Sequence, residues 1–364
     1  MPIPRKLYIR ITAAGCCLML AAQCMRAYRR NVQESLDWNL VLAIKLNDEA
    51  AVRRLLAQGA NARCKWRLMS VNGISASMEE NRLPLPPAEA NNWRSTLWAM
   101  LHEKRLPKYF EEEREPALIV ALDPCLDMPS DGRIPPTRPG IISALIDHGA
   151  DVNTRTESTA WPKAALQVAI LYGEMPAVKL LLDRGATVEA HSGRDYTALQ
   201  VASRSRQPAI AQLLLHRGAD SRAHSDTGES LLEIAAGSYD VETSRLFIRA
   251  GNDVNGADKD NRTPLMAAAR CGSPEVVQLL VECGADPTRL DRTGKCALAY
   301  SIDYGNFSGL PRGDAEDFRR AAAILMRNSP AVLRQPAARK AIVAAVRACP
   351  DAKLRNMVES ALRK

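Results

Sequence analysis

The sequence is short of the residues that carry most enzyme chemistry. Its five histidines, His102, His148, His191, His216 and His224, form no His-Glu-x-x-His motif, and none has a carboxylate at metal-ligand spacing. Nine cysteines are present, but no Cys-x-x-Cys pair, so neither a zinc site nor a dithiol has a framework. There is no Gly-x-Ser-x-Gly elbow, no phosphate-cradling glycine loop and no Cys-His arrangement in a supporting context. These absences exclude metal, cofactor and catalytic residues from the reading and argue against an enzyme. Aromatic residues are also scarce, with four Phe, eight Tyr and five Trp in 364 residues. A core so poor in rings must be built from Ala, Leu, Ile and Val, which suits closely packed helices.

Acid is missing from the first thirty residues. Arg5, Lys6, Arg10, Arg26, Arg29 and Arg30 stand there without an Asp or Glu. The remainder holds 43 of the 49 basic residues against all 41 acidic ones, so positions 31–364 carry only +2 of the formal +8. A nucleic-acid binder should cluster its excess on the folded domain, and this reading predicts no nucleic-acid partner. Leu7 to Met25 is apolar apart from Arg10, Thr12 and Gln23. Its densest part, from Ile11 to Met25, has the length of a signal-peptide core. With Arg10 at the interface, Leu7 to Met25 reaches the roughly 30 Å of a bilayer. Gln23 interrupts the small residues of a cleavage site, and Arg26, Arg29 and Arg30 oppose export of the downstream chain. The expectation is a single N-terminal membrane anchor. A cleaved signal, giving a periplasmic or secreted protein, and a buried amphipathic helix are the alternatives. Cys64 and Cys125 have the option of pairing if the protein is exported.

What is present is repetition. A Leu-rich helix followed by a Gly-Ala-Asp-like turn recurs at Gly59, Gly149, Gly185, Gly218, Gly251 and Gly284. The last four glycines keep a constant period of 33, and the step before them is 36. A short Ala-rich helix begins at a fixed distance before each glycine in the regular units, as in TALQVAS from Thr197 and TPLMAAA from Thr263. In the clearest unit, Asp258 to Asp286, Asp260-Asn261 supplies turn chemistry, Thr263 is placed to cap the first helix and Pro264 occupies its first turn. Val276, Val277, Leu279 and Leu280 give the second helix a broad apolar face, and Gly284 ends it. One such unit cannot bury its apolar face alone and needs stacked neighbours.

These residues resemble the ankyrin repeat. The resemblance covers most of 36–327 in seven units and implies an all-α solenoid of helix pairs with projecting hairpin loops. The organisation expected is a hydrophobic anchor or signal at 1–30, the array at 36–327 and a C-terminal helical cap at 328–364. Insertions interrupt the array at 62–115, 123–140 and 305–313. Within the first insertion, Trp93, Leu97 and Leu101 share one face of an expected helix, with Trp98 beside them. The cap is expected as one or two Ala- and Arg-rich helices. The sequence departs from the family in lacking its histidine after Thr-Pro-Leu: Gln167, Gln200, Glu233, Met266 and Ala299 stand there. The fifth unit also lacks the usual glycine between its helices. Both departures predict lower stability than in a regular array.

The resemblance implies a scaffold or adaptor that grips a protein with its hairpin tips and the exposed faces of its first helices. The matching positions are Trp161, Lys163, Leu171 and Tyr172 in the third unit, and Arg194, Tyr196, Arg204 and Ser205 in the fourth. Asp226 and Glu229 follow in the fifth, Lys259, Arg262 and Arg270 in the sixth, and Arg292, Lys295, Asp303 and Tyr304 in the seventh. Tyr, Trp and Arg are favoured at binding hot spots. The set leans positive, which predicts a protein partner with an acidic patch and no small-molecule substrate. The alternative is an enzyme whose site is built from the 62–140 insertions.

Overall fold

The computed structural model describes residues 29–30, 32–44, 47–66, 115–123, 139–156, 162–189, 196–303 and 314–363. Its regular structure is helical apart from one two-residue strand pair. The chain divides into two compact units. One comprises Met1–Thr159 with Asp183–Gly185, and the other Ala160–Leu182 with Ala186–Lys364.

The first unit holds the first two repeats. A helix over 32–44 precedes Glu49–Ala57, which Asp48 caps by accepting from the Ala51 N–H at 2.9 Å. The second repeat pairs Ala117–Leu122, every residue of which is buried, with Pro139–Asp147. Pro139–Asp147 packs on Glu49–Ala57. Lys65–Trp66 pairs antiparallel with Glu115–Pro116, so the chain leaves and re-enters the repeats at one point. The expected helix bearing Trp93, Trp98, Leu97 and Leu101 lies outside the described residues, as does Cys125. Cys64 is buried.

The second unit holds five helix pairs in register. They are Ala165–Leu171 with Met175–Asp183, Ala198–Arg204 with Pro208–His216, and Leu231–Gly237 with Val241–Arg249. Pro264–Cys271 with Pro274–Glu282 and Ala297–Ile302 with Ala315–Asn328 complete the set. First helices stack on first helices throughout this unit. Small residues make that close approach feasible: Ala165, Ala169, Ala198, Ala202, Ala235, Ala268 and Ala269 have no exposed surface. Second helices contribute the larger side chains, including Val276, Val277, Leu280, Phe247 and Phe318, all fully buried. Each fully buried Leu, Val or Phe contributes about 1.5–3 kcal/mol.

The local signals read from the sequence operate as expected. Thr263 Oγ1 accepts from the Met266 N–H at 3.3 Å, with Pro264 in the first turn. Gly284 takes φ +88° with open space around its Cα, so backbone conformation alone requires glycine there. Asp314 caps Ala315–Asn328 through the Asp317 N–H at 2.9 Å.

Two expectations are corrected. Beyond the seventh repeat stand three helices, Ala331–Arg334, Pro336–Ala348 and Ala352–Arg363, instead of one or two. Pro336 begins a new helix directly after Gln335, which is extended and cannot continue the short one. Pro336–Ala348 packs on Ala297–Ile302. The membrane localisation is also overturned. Among the described residues no helix is long and apolar enough to cross a membrane. Ala315–Asn328, at 14 residues, rises only about 21 Å of the roughly 30 Å needed, and it carries Arg319 and Arg320. Leu7 to Met25, on which the anchor reading rested, lies outside the described residues.

Candidate functional site

Three successive hairpins project from the second unit at the period of the repeat, each built on one organising side chain. In the sixth repeat Asp258 Oδ1 accepts from the Asp260 and Arg262 N–H groups, both at 2.8 Å, and Asn261 takes φ +60°. In the seventh, Asp291 Oδ1 accepts from Thr293 N–H at 2.8 Å and Lys295 N–H at 2.9 Å. Ser225 does the same in the fifth, accepting from the Glu229 N–H at 3.1 Å. The tips are then tied to one another. Lys259 N–H donates to the Thr227 carbonyl at 3.2 Å, and Arg292 N–H to the Asp260 carbonyl at 2.9 Å. The result is a continuous polar edge held by main chain as well as side chains.

The residues expected to meet a partner fall into small clusters along this edge. The Arg204 guanidinium lies over the Tyr196 ring at 4.7 Å, donates to its hydroxyl at 3.0 Å and reaches Glu229 at 3.4 Å. Arg262 and Arg292 share the Asp260 carboxylate, at 3.3 and 3.9 Å. Lys295 pairs with Asp303 at 2.6 Å and sits 5.6 Å from the Tyr300 ring centre. Exposed Lys259 donates to the Asp226 carbonyl. Arg270 is exposed, Lys163 and Tyr172 are half-buried, and Leu171 beside them is 42% exposed. Trp161, Arg194 and Tyr304 lie outside the described residues.

This pairing changes the electrostatic reading. Arg204, Arg262, Arg292 and Lys295 each have an acid of the same chain beside them, so the edge is mixed in sign and less positive than its cations alone imply. The exposed pairs that Arg262 and Arg292 make with Asp260 contribute little to stability, about 0–1 kcal/mol, whereas Asp303, the partner of Lys295, is buried.

The sequence reading missed the buried half of the edge. Tyr300 is 6% exposed and donates its hydroxyl to Asp291 Oδ2. Burial, helped by that carboxylate, pushes the Tyr300 phenol up to about 12. Burial would raise Asp291 too, but hydrogen bonds from Tyr300, Thr293 and the backbone outweigh it and hold Asp291 below its ordinary value. The signal was the repeat period itself, which links Asp258 to Asp291 and to Ser225, whereas the turn chemistry was placed on Asp260-Asn261. Of the histidines, His148 shares a hydrogen bond with the Ala144 carbonyl at 2.9 Å near the end of its helix. Among the described residues, no group of three or more His, Cys, Asp or Glu side chains is arranged to hold a metal.

Stacked helix pairs with hairpin tips tied together at the repeat period define a repeat scaffold, a class whose surface varies while its core repeats. The family described as ankyrin repeats (3 copies) matches residues 137–225 and 232–310, so the chain carries ankyrin repeats. Ankyrin repeats are generally protein–protein interaction modules. No curated relative matches the chain.

Proposed function

We propose that the protein is a non-catalytic scaffold that binds a partner protein through the hairpin tips and exposed first-helix faces of repeats three to seven. The observation that carries this reading is the joining of those two rows at Tyr196, Arg204 and Glu229. There a first-helix arginine reaches side chains of its own hairpin and of the next. The fold holds the Tyr196 ring and the Arg204 guanidinium, residue types favoured at binding hot spots, beside the Glu229 carboxylate. The partner surface we expect carries an acidic patch opposite Arg204 and Arg270, with complementary charge toward Glu229 and Asp260.

The test uses the full chain as bait. Wild type and a variant carrying Arg204→Glu and Arg270→Glu are compared for capture from cell extract, with thermal unfolding as the control for folding. The expected result is loss of a specific captured protein at an unchanged unfolding midpoint. Identical capture by a folded variant would place the binding surface elsewhere.

A further inference from the structure

Positions 167, 200, 233, 266 and 299 share one register, and Gln167 shows what a side chain does there. Its Oε1 accepts from the Ala164 N–H at 3.0 Å, and its Nε2 donates to the Tyr196 carbonyl of the following hairpin at 2.7 Å. One amide thus ties a helix start to the hairpin of the next repeat. Gln200 keeps the first half, accepting from the Thr197 N–H at 2.8 Å. Glu233 occupies the same place in the fifth repeat and is only 5% exposed. Its Oε2 is buried and has no hydrogen-bond partner among the described residues. An ionised carboxylate only accepts, so it cannot supply the donor that Gln167 supplies.

The charges acting on Glu233 come from three sides. Asp258 and Arg262 belong to the sixth hairpin, Glu229 to its own hairpin, and Arg270 to the neighbouring first helix Pro264–Cys271. On the other side, Ala198–Arg204 presents Arg204, which Glu229 engages. Glu242, Arg245 and Arg249 on Val241–Arg249 face solvent, and Asp240 caps that helix. His224 is bridged through its backbone to Ser230. Burial first, then Asp258 and Glu229, raise Glu233 to about 8, with Arg262 and Arg270 offsetting only part.

We propose that Glu233 is a proton-held joint between the fifth and sixth repeats. Protonated, its carboxyl donates to the Arg262 carbonyl of the next hairpin, as Gln167 donates to that of Tyr196. The Arg262 carbonyl already accepts from the Asp258 N–H at 3.0 Å and has a second lone pair available. Ionisation removes the donor and leaves a buried charge, loosening the hairpin that carries Lys259 and Arg262. The array therefore carries a built-in response to pH at the repeat whose hairpin meets the partner edge.

The sign follows from linkage. A carboxyl raised from 4.5 to about 8 makes the folded state bind more protons than the unfolded one between those values. Stability from this joint is full below about pH 4.5, falls as pH rises through the window and levels off above about 8. Glu233→Gln supplies a permanent donor and removes the titration, while His224 remains in both proteins.

Chemical unfolding of the full chain and of E233Q from pH 5 to 9 tests the joint. The unfolding constant of wild type relative to E233Q should rise about tenfold per pH unit up to about pH 8 and then hold steady. A ratio that stays constant across the range would overturn the proposal. Carbon-13 NMR of the Glu233 carboxyl in the wild-type chain gives a second reading, independent of whether E233Q folds. A midpoint near 8 supports the joint, and one in the ordinary carboxylate range sinks it.

Discussion

The single Tyr239 hydroxyl proton is shared between two acceptors, the Asp317 carboxylate at 3.0 Å across a long stretch of chain and the Gly272 carbonyl. Tyr239 adopts φ +68°, a left-handed conformation that bulky residues avoid. It stands at the register position that Gly173 and Gly272 fill elsewhere, both at φ +72°. The strain of a tyrosine in that turn is thus offset by a bond that reaches the second helix of the seventh repeat.

Arg206 fills the same register position in the fourth repeat at φ +57°. Glycine substitution should therefore act with opposite sign at the two sites. Arg206→Gly relieves the left-handed penalty and should raise stability by roughly 0.5 kcal/mol. Tyr239→Gly removes the shared hydroxyl donor and the ring's packing and should lower it by about 1–3 kcal/mol. Denaturant titrations of the two variants check this, and stabilisation by both would show the tyrosine bonds to be idle.

Gly272 has a second constraint beyond its backbone angle. A Cβ there would meet the Phe318 ring at 2.6 Å, and Phe318 is fully buried with nowhere to go. Gly272→Ala should destabilise by about 2–4 kcal/mol. Adding Phe318→Leu should recover part of that loss, which a double-mutant cycle measures as a coupling between the two sites.

The Asp291 carboxylate gives an acid-side prediction. Tyr300→Phe removes a donor from a buried carboxylate and should lose about 1–3 kcal/mol at neutral pH. Because Asp291 is held below its ordinary value, its contribution is present above the unfolded pKa and disappears as pH falls through the folded one. The gap between wild type and Tyr300→Phe should close below about pH 4. A gap that persists in acid would mean the hydroxyl stabilises through packing alone.

Lys65–Trp66 and Glu115–Pro116 meet as a two-residue antiparallel pair. Replacing 67–114 with a two-residue Asn-Gly turn should leave the helical circular-dichroism signal of the repeats cooperative, with an unfolding midpoint within a few degrees of wild type. Collapse of the cooperative transition would show that the first two repeats lean on the excised segment.

The array was legible because its determinants are local. The even glycine spacing, the Thr263 cap and the alanine first helices each follow from a few neighbouring residues. What escaped was non-local. The glycine between the helices is absent in the fourth repeat as well, where Arg206 takes its place, and an arginine in a left-handed turn leaves no mark in composition. Cation counts suggested a positive edge because Arg262 and Arg292 belong to different repeats, and only folding brings Asp260 to both. Glu233 was read as a weakened family position. Its burial and orphaned oxygen depend on the stacked neighbour and not on the unit itself.

Pro336–Ala348 lies on Ala297–Ile302, the face against which another first helix would otherwise stack. Its outward side shows Ala337, Lys340, Ala344 and Arg347, not the apolar stripe that a further repeat would require. The structure therefore sets its own copy number at this end. A duplicated unit inserted between existing repeats would find two matching faces, whereas one appended beyond this helix would find none. At this end, lengthening the array by design means inserting a unit ahead of the terminal helices.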